Sequence, residues 1–217
     1  MWPACSRRRV APVDARRRCA TVDHDGDTLA DALRAGIHRV LGEQDLLNRI
    51  NVFPVADGDT GTNLSLSLGA ALPMLSGDED KHLGTLLAAL ADALLDGARG
   101  NSGSIMAQFF QGMSDAAGES SRFTTYTFAK AVATGSEYAH DALSEPREGT
   151  ILSVIAAFAA NLHRQAIDGD EKHFPTAMTG ALQSVQKALE KTPEQLDVLR
   201  KAGVVDAGAK GFVSLVA

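Results

Sequence analysis

Cysteine is nearly missing from this chain: two occur among 217 residues, Cys5 and Cys19. A disulfide framework and a cysteine-rich zinc site are thereby excluded, and the usage fits a reducing, cytoplasmic compartment. No apolar run approaches the roughly 18 residues that would span a bilayer. An excess of positive charge is also lacking. The 21 basic and 27 acidic residues give −6, which argues against a general nucleic-acid binder. What basic charge there is gathers early. Residues 1–20 hold six arginines against Asp14 alone, a net +5, so the remainder carries −11. This leader has no apolar core of the secretory type. It reads as a disordered, dispensable segment over 1–22, with a transit peptide or a misassigned start as alternatives. Residues 23–217 then form one domain whose acidity suits phosphate chemistry managed through bound cations.

Hydrophobic residues make up 45% of the chain, enough for a sizeable core. Their spacing is helical almost throughout. The pattern predicts helices from Thr28 as N-cap, from Thr60–Asn63 up to Pro73, and over 83–95. Others follow from Ser102, over 128–143, over 150–163, over 176–189 and from Ala207. The one extended piece, Ile50 to Ala56, contains Pro54, which argues against a central strand. No strand–helix–strand alternation appears. The expected fold is all-α, about eight helices in an antiparallel up-and-down barrel or bundle. The end, Gly211 to Ala217, is apolar without a polar tail, and the natural chain is expected to continue.

Several chemistries find no motif. There is no G-x-x-x-x-G-K-[ST], no calcium loop with glycine at its sixth position, no H-E-x-x-H and no G-x-S-x-G. The aspartyl-phosphate pattern D-x-D-x-[TV] fails because Gly61 stands at the Thr/Val position. The six histidines are scattered and read as surface or core-edge residues.

Polar residues and glycines instead collect at helix starts. The densest cluster is Asn51-Val-Phe-Pro-Val-Ala-Asp57-Gly58-Asp59-Thr60-Gly61-Thr62-Asn63. Two carboxylates separated only by glycine can turn toward one point, and such hard oxygen ligands suit Mg²⁺. Thr60, Gly61, Thr62 and Asn63 then open a helix, whose free N–H groups favour an anion. A turn followed by a threonine cap is the plainer reading of the same residues. A second cluster is Gly97-Ala-Arg-Gly100-Asn101-Ser102-Gly103, in which Asn101 or Ser102 could simply cap a helix. A third is Arg147-Glu148-Gly149-Thr150. A fourth is Gly203-Val-Val-Asp206-Ala207-Gly208-Ala209-Lys210-Gly211. In an up-and-down array the starts near 60, 102, 150 and 207 would share one end, facing one cavity.

These four motifs, in this order, resemble the nucleotide-binding domain shared by the dihydroxyacetone kinase L subunit and the N-terminal domain of bacterial fatty acid kinases. The resemblance covers residues 28–217 and lies nearer the fatty acid kinase branch, including fusions with DegV-like lipid-binding domains. It implies an eight-helix barrel that holds ATP or ADP with two Mg²⁺ ions. It assigns Asp57 and Asp59 as the metal-binding, catalytic carboxylates. Thr60 to Asn63 fall on the phosphate side, Asn101, Ser102 and Gly103 on a second nucleotide contact, and Asp206, Ala207 and Gly208 on a third, with Thr150 beside them. The glycerone kinase branch has a third upstream aspartate and a histidine where this chain has Thr60. Asn51 is the nearest candidate for the third ligand.

The implied activity is an ATP- and Mg²⁺-dependent phosphotransferase domain acting on a fatty acid carboxylate presented by a DegV-like partner or fused domain. The alternatives are a glycerone-kinase-like phosphoryl relay and a nucleotide-binding scaffold without turnover. A homodimer is compatible with any of them; nucleic acid and a membrane span are not expected.

Overall fold

Asp25 starts the first helix. In the computed structural model, which describes residues 24–76, 82–168 and 173–217, its carboxylate accepts the Thr28 N–H at 3.0 Å and the Thr28 hydroxyl at 2.8 Å. Those bonds hold its pKa below the usual carboxylate value. Thr28, expected as the cap, therefore lies in the first turn instead. Helix α1 covers Gly26–Gly42, followed by α2 Gln44–Arg49, α3 Thr60–Gly69, α4 Leu72–Leu75, α5 Leu83–Gly97 and α6 Gly100–Ala117. Then come α7 Thr125–Asp141, α8 Ile151–His163 (extended by a π turn, Arg164–Asp168), α9 Phe174–Gln195, α10 Asp197–Ala202 and α11 Ala207–Val216. The fold is all-α. The expected leader lies outside the described residues.

The eight anticipated helices are present, and three short ones accompany them. α2, α4 and α10 are too short to show a period in sequence. The helix expected to reach Pro73 stops at Gly69; Pro73 opens α4, where a missing N–H costs nothing. Leu66, expected on its apolar face, is 58% exposed. Residues 50–56 form no strand. Among the described residues the sheet is a two-residue ribbon, His24–Asp25 antiparallel to Arg122–Phe123 (β1 and β2). α9 passes through Pro193, which cannot donate to the Leu189 carbonyl; the Thr192 hydroxyl donates there instead, at 2.8 Å.

Successive long helices run in opposite directions. At one end the β ribbon gathers the starts of α1, α5, α7 and α9. His24 stacks on Phe174 at 3.9 Å, Phe128 contacts both Phe123 and Phe174, and the Gly84 N–H donates to the Ser120 carbonyl. The starts of α3, α6, α8 and α11 are left at the other end. α11 closes the array by packing on α1, α3, α8 and α9. Its Phe212 is fully buried, edge-on to Phe109 of α6 and Phe158 of α8. Gly36 permits the closure: a Cβ there would overlap the Leu215 carbonyl. Among the described residues, no helix is long and apolar enough to cross a membrane.

Candidate functional site

The four helix starts at this end surround a cavity of about 640 Å³. Its first wall is the loop between α2 and α3. Asn51, 5% exposed, organises that loop. Its amide oxygen accepts the N–H groups of Asp59 at 3.1 Å and Thr60 at 3.0 Å, and the Thr60 hydroxyl at 2.8 Å. Its amide nitrogen donates to the Val55 carbonyl at 2.9 Å. The side chain expected as a third metal ligand is thus consumed as a brace, its oxygen already meeting three donors. Gly58, at φ +69°, turns the chain between Asp57 and Asp59. Both carboxylates face the cavity, exposed, and neither makes a hydrogen bond or ion pair among the described residues.

The opening of α3 is largely capped from within the protein. Asn51 takes the N–H groups of Asp59 and Thr60. Asn48 accepts the Thr62 N–H at 3.0 Å and donates to the Thr62 hydroxyl at 3.0 Å. Gly61 is pressed against α2, where a Cβ would overlap the Gln44 carbonyl. Thr60 and Asn63 line the cavity, whereas Gly61 and Thr62 sit behind its wall.

The opening of α6 differs. Its N-cap is Arg99, not Asn101 or Ser102, and no side chain caps the helix. The Arg99 N–H is held by the Ser67 hydroxyl at 2.9 Å, and that hydroxyl donates to the Asn63 carbonyl at 2.7 Å. Gly100, at φ +60°, lies so close to Asn63 that a Cβ would come within 2.7 Å of its amide nitrogen. Gly100, Asn101 and Ser102 all line the cavity and carry the first-turn N–H groups that a helix leaves unpaired. Gly103 points away, onto Ser67.

The last two openings are joined by one residue. Thr150 caps α8, accepting the Leu152 N–H at 3.3 Å and donating to the Arg147 carbonyl at 2.7 Å. Asp206 caps α11, accepting the Ala209 N–H at 2.8 Å, and also receives the N–H groups of Gly208 and of Ile151, the first residue of α8. Burial pushes the Asp206 carboxyl up to about 6, although these three N–H bonds oppose the shift. The backbone of Asp206 donates to Thr192, tying the end of α9 to the same point. A Cβ on Gly208 would stand 2.8 Å from the Ser102 hydroxyl and 3.4 Å from Ile151, so the starts of α6, α8 and α11 meet there. Ala207 is buried behind the wall. Lys210, within the fourth motif, turns away to Glu43 at 3.2 Å and Ser214.

Asn51, Asp57, Asp59, Thr60, Asn63, Asn101, Ser102, Thr150, Asp206 and Gly208, drawn from four sequence motifs, thus share one cavity. Sequence reasoning missed Asn48 and Ser67, which hold the openings of α3 and α6. Their partners lie 14 and 32 residues away, and no local pattern announces such bonds. It also missed the aliphatic wall formed by Leu143 and Leu196. Among the described residues no three His, Cys, Asp or Glu side chains gather as a metal cage. The exposed Asp57–Asp59 pair still fits Mg²⁺, which takes one or two carboxylates and completes its shell with water and phosphate oxygens.

The DAK2 domain family profile matches residues 54–217. Protein YloV of Bacillus subtilis is 36% identical over 189 residues, covering 87% of this chain and 34% of that protein. An uncharacterized protein of Staphylococcus saprophyticus is 34% identical over 193 residues, covering 89% of this chain and 35% of its own length. The chain therefore spans about a third of the curated relatives it matches. Among solved structures, the dihydroxyacetone kinase of C. freundii in complex with AMP-PNP and Mg²⁺ superposes with a TM-score of 0.66. The identity is 18%, over 99% of this chain and 37% of that one, so the likeness is one of fold.

Proposed function

Because the chain belongs to the DAK2 domain family, we propose that it is an ATP- and Mg²⁺-dependent phosphotransferase domain. One observation carries the reading: an exposed carboxylate pair and an uncapped helix start face each other across one cavity. An anion alone would be repelled by the carboxylates, and a cation alone would leave the α6 N–H groups unpaired. A nucleotide polyphosphate with Mg²⁺ satisfies both.

Asp57 and Asp59 would hold the Mg²⁺, since both offer hard oxygen donors to the cavity and neither carboxylate has another partner among the described residues. The ion would supply charge neutralisation on the γ-phosphoryl oxygens, which favours in-line attack at phosphorus by an acceptor oxygen with ADP as the leaving group. Gly100, Asn101 and Ser102 donate to phosphate oxygens, and Asn51 keeps the carboxylate loop from moving. The apolar side chains of Leu143, Ile151 and Leu196 exclude water from the remaining volume and suit a nucleoside. The acceptor is a fatty acid carboxylate presented by a DegV-like protein or fused domain. A carboxylate is ionised at neutral pH and needs no general base.

Calorimetry with AMP-PNP should show binding that requires Mg²⁺ and disappears in Asp57→Ala, with the helical fold retained because Asp57 is exposed. Binding by Asp57→Ala at wild-type affinity would falsify the reading. Phosphoryl transfer to long-chain carboxylates rather than dihydroxyacetone, assayed with the lipid-binding partner present, separates the fatty acid acceptor from the glycerone kinase alternative.

A further inference from the structure

We infer that Arg147 recognises a nucleotide phosphate and that Glu145 holds it in readiness until the nucleotide arrives. This rests on the nucleotide reading above. Among the residues lining the cavity, four are acidic (Asp57, Asp59, Glu145 and Asp206) and Arg147 is the single basic one. Three of the acids have roles: two face the metal position and the third is bonded to helix N–H groups. Glu145 has none of these, and among the described residues its only partner is Arg147, at 3.0 Å across Pro146.

Both members of this pair are largely in water, with side chains 63% and 78% exposed. An exposed pair of this kind is weak and is easily exchanged. A phosphate competes well for the same guanidinium, because its oxygens match the planar fork and carry more charge than one carboxylate oxygen. The backbone under Arg147 is meanwhile fixed. The Thr150 hydroxyl that caps α8 donates to the Arg147 carbonyl, and Gly149, at φ +80°, turns the chain into the helix. Arg99, the nearest other cation to the α6 opening, is folded back onto the Ala98 carbonyl at 2.8 Å and does not line the cavity. Arg147 is thus anchored by its backbone, held at its tip only by an exposed and exchangeable pair, and opposite in sign to the acidic residues of the cavity. On binding it leaves Glu145, which returns to solvent.

Titration calorimetry on the 217-residue chain with Mg²⁺ and AMP-PNP tests the exchange. Arg147→Ala should weaken binding about tenfold, and Arg147→Lys, which keeps the charge without the fork, should lie between. Glu145→Gln should tighten binding about threefold by releasing the guanidinium, and should change nothing in an Arg147→Ala background. Adenosine, which has no phosphate, should bind wild type and Arg147→Ala alike. Thermal midpoints should stay at the wild-type value because both side chains are exposed. AMP-PNP affinity of Arg147→Ala within about twofold of wild type, or Glu145→Gln without any tightening, overturns this inference while Mg²⁺-dependent binding by wild type leaves the proposed function standing. Wild type failing to bind AMP-PNP at all would overturn both.

Discussion

Replacing Asn51 with alanine decides between two roles for the loop that carries Asp57 and Asp59. The side chain makes one strong donor bond, to Val55, and accepts three, from two backbone N–H groups and the Thr60 hydroxyl. A net intramolecular hydrogen bond contributes about 0.5–1.5 kcal/mol. The freed groups of Asp59 and Thr60 border an open cavity and can be rehydrated, so the low end of that range applies. Asn51→Ala should therefore cost about 2–3 kcal/mol, somewhat above the usual loss of a helix cap. For a chain of this size that is a fall of roughly 5–10 °C in the unfolding midpoint. Measured in EDTA, the loss isolates the brace from any metal. Asn51→Asp keeps the acceptor but turns a second oxygen toward the Val55 carbonyl, so it should recover part of the loss. If Asn51 were instead a ligand, the alanine variant would match wild type in EDTA and differ only with Mg²⁺ and nucleotide present. A midpoint within about 1 °C of wild type in EDTA would refute the brace.

Three further outcomes follow from the meeting of α6, α8 and α11. Gly208→Ala should destabilise by about 1–3 kcal/mol in urea unfolding and weaken AMP-PNP binding, because its methyl would force Ser102 and Ile151 apart. Asp206 has a folded pKa of about 6 against an ordinary 3.8, so between these values the folded state holds a proton that the unfolded state releases. Its contribution is therefore present in full below about pH 4 and is lost as pH rises through about 6. Relative to Asp206→Asn, which cannot titrate, wild type should lose on the order of 2–3 kcal/mol across that window, read by urea unfolding at a series of pH values. A flat difference would mean that Asp206 ionises as freely as a surface carboxylate.

Helical class and most helix positions were legible because long helices that bury one face must repeat apolar residues at a fixed interval. Leu83, Leu86, Leu87, Leu90 and Leu94 repeat in this way, and all five are buried along α5. The four glycine-containing starts were legible too, since helix openings have their own residue preferences and alternation in direction brings every second start to the same end. Local spacing could not say which starts remain open to a ligand. Thr60-Gly-Thr-Asn63 and Gly100-Asn-Ser-Gly103 look equally suited to an anion in sequence. Asn48 and Asn51 fill the first, while the second is left free, because bonds to residues distant along the chain exist only once the helices have packed. The same holds for Asp206. A capping aspartate before Ala-Gly-Ala is a local feature, but its raised pKa and its grip on Ile151 come from burial between two helices that meet only in the folded domain. The sequence by itself determined the helices, their order and the residues at their starts; the tertiary structure decided which of those residues face the ligand and which hold the protein together, since burial and long-range hydrogen bonding are properties of the packed chain alone.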